Sequence, residues 1–317
     1  MKILANDGIS ENGINKLESN NFIVINSKIE QEDLIDFINE INIEVLLVRS
    51  ATNAKKILID KCPNLKIIGR GGVGMDNIDV EYAKNKGIHV INTPTASSLS
   101  VAELVFSHFF NLARYIHNSN RNMPLEGEKK FKFLKKTYSK GTELSGKTLG
   151  IIGFGRIGQE VAKIGLGIGM KIIVYDKFIN ESDINLTFFD NQTINFKIKT
   201  NSLKNVLSQS DFITFHIPKT NNKALIGKKE LEIMKDGVCI VNTARGGIID
   251  ENELIKALEK GKVRSAGLDV FQNEPNPNIK VLMNDKISLS PHIGGSTIEA
   301  QNRIGMELAN QIINFYK

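Results

Sequence analysis

Short apolar runs alternate with amphipathic stretches along most of this chain. In the first 95 residues the runs are "KILAN" (2–6), "FIVIN" (22–26), "VLLVRS" (45–50), "LKIIGR" (65–70) and "IHVINT" (88–93). Each is too short for a helix and lacks the polar alternation of a half-exposed strand, so each predicts a buried strand. Between them, "EDLIDFINEI" (32–41) and "DVEYAKNKG" (79–87) carry helical spacing. Strand–helix alternation predicts an open, mostly parallel α/β sheet with right-handed crossovers. A second block of the same kind runs through "KTLGIIGFGRIG" (147–158), "KIIVYD" (171–176), "DFITFHIP" (211–218), "GVCIVNTAR" (237–245), "SAGLDVF" (265–271) and "KISLSPHIG" (286–294).

The segment "NTPTASSLSVAELVFSHFFNLARYIH" (92–117) separates the blocks. Thr93-Pro94 ends a strand. Ser100 with Glu103 forms a capping-box pattern, which predicts the start of a long apolar helix there. That helix is expected to carry the chain from one domain to the next. The amphipathic "STIEAQNRIGMELANQIINFYK" is expected to return as a helix to the first domain. In the second block, "INLTFFDNQTINFKIKT" (184–200) reads as two strands around Asp190-Asn191, a hairpin signal.

Composition narrows the function classes. The 317 residues are 41% hydrophobic and 24% charged, ordinary for a soluble globular protein. No apolar run approaches the roughly 20 residues of a membrane span. Asp7 and Glu11 interrupt the N-terminus where a signal peptide needs an apolar core, so a cytoplasmic protein is expected. Cys62 and Cys239 have neither a disulfide framework nor a metal-type spacing, and no metal is expected. The formal charge is +6, with much of the excess in "EKKFKFLKKTYSK" (128–140). One local basic run beside Glu126 predicts a solvated helix face rather than a nucleic-acid module. Its interleaved Phe131, Phe133 and Leu134 suggest a homodimer interface. A positive field also suits a small anionic substrate.

"LGIIGFGRIG" places Gly153, Gly155 and Gly158 after an apolar strand and before an amphipathic stretch. In that context the first glycine makes a tight turn, the second lets backbone approach a pyrophosphate, and the third lets helix and strand pack closely. The helix N-terminus favours the phosphate charge. Asp176 ends the next strand. An acid there can accept bonds from both adenosine ribose hydroxyls and repels a 2′-phosphate, which predicts NAD over NADP, with Lys177 as a softening neighbour.

Later strands end in Arg245, in Asp269 followed by Glu274, and in His292. Ligands of open α/β sheets bind outside the carboxyl ends of the strands, so these residues are expected to converge. A guanidinium binds a carboxylate through two parallel donors. An imidazole exchanges a proton with an alcohol or alkoxide, and a carboxylate beside it orients the ring. Together they predict oxidation or reduction of a 2-hydroxy or 2-oxo acid. Arg49 and Arg70 also end strands, and the pair suggests a second anion subsite suited to a phosphate.

The order GFGRIG, VYD, NTARGG, DVFQNEP, SPHIGGST resembles the D-isomer-specific 2-hydroxy-acid dehydrogenases, as do "GRGGVGMDNID" and "NTPTASSLSVAELV". The resemblance covers most of the chain. It implies two Rossmann-like domains with the active site in the cleft between them. A flavodoxin-like substrate domain would comprise 1–95 plus 293–317, and an NAD-binding doubly wound domain with dimerisation elements 96–292. It implies Arg245, Glu274 and His292 as catalytic residues. The cofactor set would be Gly153, Gly155, Arg156, Ile157, Gly158, Asp176, His216, Ile217, Pro218, Thr243, Ala244, Arg245, Asp269, His292, Gly294 and Gly295. The substrate set would be Arg49, Ser50, Arg70, Gly71, Gly72, Val73, Gly74, Arg245 and His292, with the backbone N–H groups of Gly71 to Gly74 on the carboxylate. The expected substrate is 3-phosphoglycerate. Glyoxylate, hydroxypyruvate or another D-2-hydroxy acid is the alternative, and a non-catalytic NAD-sensing protein is the rival from another class. Longer family members continue into a C-terminal regulatory domain, so feedback through such a domain is not expected in a chain ending at Lys317.

Overall fold

A computed structural model describes residues 1–218 and 223–317. The chain divides into two compact units, Met1–Ser100 with Gly295–Lys317, and Val101–Gly294.

The first unit contains β1 (Lys2–Ala5), α1 (Glu11–Glu18), β2 (Ile23–Ile25), α2 (Leu34–Glu40), β3 (Val45–Val48), α3 (Lys56–Lys61), β4 (Ile67–Arg70), α4 (Val80–Asn85) and β5 (His89–Asn92). Its sheet has the order β2-β1-β3-β4-β5, with every pairing parallel. Ile3, Ala5, Val45, Leu47 and Ile67 pack in one apolar cluster, while Leu4, Leu46, Val48 and Ile68 pack in another. Alternate residues of each strand therefore bury opposite faces, which is why the apolar runs show no polar alternation. Ile304, Leu308 and Ile312 of the last helix, α12 (Ile298–Phe315), complete the first cluster. There α12 meets α1 backbone to backbone: a Cβ on Gly13 would lie 2.9 Å from the Gly305 carbonyl.

The helix α5 (Ser98–Arg114) holds the division between the units, which falls inside its first turn. The helix begins two residues before the Ser100 of the capping-box pattern. Ser100 is thus a helical residue, and its hydroxyl pairs with that of Thr297, the N-cap of α12, at 2.9 Å. After a left-handed Tyr115, α6 (Ile116–Tyr138) follows, interrupted at Lys130 by non-helical backbone. Phe131 and Phe133 are 57% and 63% exposed, but Leu134 is buried, which removes it from the expected dimer surface.

The rest of the second unit is β6 (Thr148–Ile152), α7 (Arg156–Gly167), β7 (Lys171–Tyr175), β8 (Glu181–Thr187), β9 (Thr193–Lys199), α8 (Leu203–Gln209), β10 (Phe212–Phe215), α9 (Lys228–Ile233), β11 (Val238–Asn242), α10 (Glu251–Glu259), β12 (Val263–Leu268), α11 (Ile279–Leu282) and β13 (Ile287–Leu289). The parallel sheet runs β13-β12-β11-β10-β6-β7. The hairpin forms as the Asp190-Asn191 signal predicts: β8 and β9 pair antiparallel, Asn191 is left-handed, and Asp190 accepts the Gln192 N–H. A single parallel bridge from Thr200 to Val174 attaches the chain after β9 to the β7 edge. Both sheets are open and doubly wound. Their strand orders reverse between β1 and β3 and between β6 and β10, the places where such sheets open a ligand crevice.

Candidate active site

At the β6/β10 reversal the glycines behave as their spacing requires. Gly153 has φ 97°, and a Cβ there would lie 2.5 Å from His216 O. A Cβ on Gly158 would overlap Gly153 O, so α7 starts hard against the loop. Gly155, the N-cap of α7, faces open space and supplies no side-chain cap. That leaves a close-packed turn with room for an anion at an uncapped helix start. Two enclosed polar atoms beside the neighbouring strand ends, His216 Nδ1 and Thr243 Oγ1, lack a partner among the described residues. Burial pushes the His216 imidazole down to about 3, so it is neutral. A polar cofactor lying across these loops fits both observations.

Asp176 follows β7, and its carboxylate is already committed in part. Oδ2 accepts the Phe154 N–H at 2.6 Å, and Oδ1 accepts those of Phe178 and Ile179. Burial raises this carboxyl, but the four N–H groups from Phe178, Phe154, Ile179 and Lys177 outweigh it and hold it below its ordinary value. Asp176 also braces the glycine loop.

Arg245, Glu274 and His292 lie on loops after β11, β12 and β13. Asn242 at the end of β11 shapes the first loop, donating to Arg245 O and accepting the Ala244 N–H. Arg245 Nη1 donates to Ala244 O at 2.7 Å. A Cβ on Gly246 would overlap Phe271 O, so this loop packs against the one leading to Glu274. Glu274 Oε1 accepts the Phe271 N–H at 2.8 Å, and Oε2 lies 2.7 Å from His292 Nδ1. Burial pushes the Glu274 carboxyl up. The His292 hydrogen bond, the Phe271 N–H and the charges of His292 and Arg245 outweigh this and leave it below its usual value. An ionised carboxylate only accepts, so Nδ1 carries the proton and Nε2 is left to exchange one with a ligand. His292 itself is left-handed, φ 55°. The turn is pinned from behind by buried Asp269, which accepts the Ile293 and Gly294 N–H groups at 2.8 and 2.9 Å.

The first unit holds the other candidates around its β1/β3 reversal. A cavity of about 530 Å³ is lined by Asp7, Asn26, Lys28, Arg49 and Ser50 among others. Asp7, which belongs to none of the motifs above, organises it. Oδ2 accepts the Arg49 and Thr52 N–H groups, and Oδ1 accepts the Thr52 hydroxyl and the Lys28 ammonium at 3.0 Å. Burial raises the Asp7 carboxyl, but Thr52, Arg49 and Lys28 together hold it below its ordinary value. Asn77 clamps the same turn through Arg49 O and Thr52 O. Arg70 ends β4, with its guanidinium against Gly72. The Gly71 N–H is donated to Val48 O at 2.9 Å and drops out of the expected carboxylate cradle. Gly72, Val73 and Gly74 remain, with Asn92 fixing Val73 O. Gly295 falls in this unit too, its carbonyl taken by Gln301.

The model of the D-isomer specific 2-hydroxyacid dehydrogenase, NAD binding domain, matches residues 106–294. A hydroxypyruvate reductase of Thermotoga maritima is 44% identical over 316 residues, covering 98% of this chain and 97% of that protein. A D-3-phosphoglycerate dehydrogenase of Methanocaldococcus jannaschii is 40% identical over 313 residues; 98% of this chain spans 57% of that relative. The crystal structure of an NAD⁺-bound 3-phosphoglycerate dehydrogenase from Entamoeba histolytica is 30% identical with a TM-score of 0.76, over 100% of this chain and 95% of that one.

Proposed function

Since the chain belongs to the D-isomer-specific 2-hydroxyacid dehydrogenase family, with NAD as its cofactor, we propose that it oxidises D-3-phosphoglycerate to 3-phosphohydroxypyruvate. NAD, when bound, supplies the acceptor for the hydride from C2. Residues 153–158, Asp176, His216 and Thr243 would hold it. Neutral His292 accepts the hydroxyl proton at Nε2, and Glu274 keeps Nδ1–H facing away from the substrate. Arg245 binds the carboxylate and steadies negative charge on the reacting oxygen. In the reverse direction the charged imidazole returns the proton.

The observation that carries the phosphorylated substrate is the cavity lined by the two cationic residues Arg49 and Lys28, beside an Asp7 whose carboxylate is taken up by the Lys28 ammonium, the Thr52 hydroxyl and the Arg49 and Thr52 N–H groups. A phosphate dianion suits such a site, and glyoxylate has no group to fill it. The second reading is a hydroxypyruvate reductase, favoured by the Thermotoga maritima relative and its full-length match. We also propose a cytoplasmic homodimer that uses the exposed phenylalanines of α6. The test is kcat/KM for NAD with D-3-phosphoglycerate, and for NADH with hydroxypyruvate and glyoxylate. A clear preference for the phosphorylated acid supports the reading. A preference for hydroxypyruvate moves the assignment to the second. No turnover on any of them moves the assignment to a non-catalytic NAD-sensing protein.

A further inference from the structure

Behind the His292 turn lies a buried histidine that the chemistry above does not use. His108, on α5, is almost fully enclosed. Its Nδ1 lies 3.0 Å from Ser288 Oγ and its Nε2 3.0 Å from Ser290 Oγ. Ser290 Oγ donates to Asp269 Oδ1 at 2.6 Å. Asn111 Nδ2 donates to Ser288 Oγ at 2.7 Å, and the Asn111 amide is itself oriented because its Oδ1 accepts the His117 N–H.

For a neutral His108 ring these bonds allow one proton arrangement. Ser290 has a single hydrogen, already given to Asp269, so His108 Nε2 must be the donor toward Ser290. In a neutral ring Nδ1 is then the acceptor, and the Ser288 hydroxyl donates to it. Ser288 in turn accepts from Asn111. The donors thus run in one direction, from Asn111 through Ser288, His108 and Ser290 to Asp269. Burial holds the His108 imidazole below its ordinary value against the opposing charge of Asp269, which keeps the ring neutral. The strand makes space for it: a Cβ on Gly267 in β12 would lie 2.8–3.0 Å from three His108 atoms. Asp269 is the carboxylate that also takes the Ile293 and Gly294 N–H groups and keeps His292 left-handed.

We propose that His108 is a positioning residue: by fixing the Ser290 hydroxyl on Asp269 it holds the turn that presents His292. The inference rests on reading His292 as the proton carrier. It is tested by two amides that occupy different ends of the imidazole. In His108→Gln the amide nitrogen reaches the place of Nε2 and can still donate to Ser290. In His108→Asn the amide reaches only the place of Nδ1 and serves Ser288. His108→Leu serves neither. Amide hydrogen exchange at Ile293 and Gly294 is measured together with kcat and KM. Expected in the Asn and Leu variants are about tenfold faster exchange, as one stabilising bond is lost, and a kcat lower by about 10- to 10²-fold, as for a misplaced catalytic group. KM for the hydroxy acid stays near wild type, and His108→Gln restores both readouts. Ser290→Ala should reproduce the Asn variant, and it carries the test if His108→Leu does not fold. Equal behaviour of the Gln, Asn and Leu variants, or unchanged exchange in Ser290→Ala, overturns the proposal. If the wild-type protein turns over no hydroxy acid, the dehydrogenase reading fails, while the exchange measurements still decide whether His108 holds the turn.

Discussion

Replacing Glu274 by Gln tests the chemistry of His292 without changing the shape of its partner. The carboxylate now serves two donors, with Oε1 on the Phe271 N–H and Oε2 on His292 Nδ1. A glutamine has one oxygen for the two. If the oxygen faced His292, the NH₂ would meet the Phe271 N–H head to head and leave a half-buried donor unsatisfied, at about 1–3 kcal/mol. The favoured arrangement keeps the oxygen on Phe271 and turns the NH₂ to Nδ1. The ring must then accept at Nδ1 and carry its proton on Nε2, where it cannot take the substrate's hydroxyl proton. A carboxamide behind the catalytic histidine of a serine protease lowers kcat by about 10⁴ through this wrong tautomer. Here the His292 side chain is 44% exposed, so water can shuttle the ring proton between tautomers. The expected loss is therefore smaller, about 10²–10³-fold in kcat, or roughly 2.7–4 kcal/mol. Steady-state NADH formation measures it, with His292→Ala as the reference. The two residues act as one unit, so the double variant should lose no more than His292→Ala alone. A Glu274→Gln enzyme within about threefold of wild type, or losses that multiply in the double variant, would refute the tautomer argument.

Four further outcomes follow from the same geometry. Arg49→Ala should lower kcat/KM for D-3-phosphoglycerate by roughly the 2–5 kcal/mol of a broken charge pair while sparing unphosphorylated 2-oxo acids, as steady-state kinetics on both substrate types would read; equal losses would make Arg49 a structural or carboxylate-binding residue. Asp176→Ala should weaken NAD binding in titration calorimetry and narrow the gap to NADP. Phe131→Glu with Phe133→Glu should convert a dimer to monomer in analytical ultracentrifugation at micromolar protein, and a monomeric wild type would leave those side chains an exposed patch in need of another partner. Asp7 and Asp176 are both depressed below the ordinary 3.8 in the folded state, so their stabilisation is present above about pH 4 and lost as pH falls through their folded values; denaturant melts should show Asp7→Asn weakening the protein at pH 7 and shrinking the difference between pH 7 and pH 3.

The strands, the glycine loop and the β8–β9 hairpin were legible because each rests on local rules: a double-sided apolar run, a Gly spacing between strand and helix, an Asp-Asn turn. Positions that depend on distant partners were not. α5 starts at Ser98, and the Ser100 hydroxyl of the expected cap is paired with Thr297, far along the chain. Leu134 reads with Phe131 and Phe133 as part of a subunit interface, yet it lies buried within the chain past the break at Lys130, where the helix changes course. The Gly13–Gly305 contact and the His108–Ser290 bond join residues that share no window of sequence. Gly71 fits its expected role by type, and only the strand pairing shows its N–H already taken.

One device recurs at the ends of the parallel strands. The last ladder position leaves the N–H groups of the following loops without strand partners, and buried donors must find acceptors. At four strand ends a side-chain acceptor takes them: Asp7 beyond β1, Asp176 after β7, Asn242 closing β11 and Asp269 after β12. Each gathers N–H groups from a loop that carries a candidate functional residue. Asp7 shapes the Arg49 turn, Asp176 the glycine loop at Phe154, Asn242 the Arg245 loop and Asp269 the His292 turn. A short acceptor at a strand end thus sets the conformation of its loop while leaving the outward side chain to the ligand. The sequence signal is an Asp or Asn at or just past the end of an apolar run, as in "KILAND", "KIIVYD", "CIVN" and "AGLD". Its meaning depends on which neighbouring strand supplies the donors, and strand order supplies that: β1 lies beside β3, and β7 beside β6. The parallel sheet therefore does more than hold the chain together. It decides which acidic side chain braces which loop, and so which basic or titratable residue is presented for chemistry.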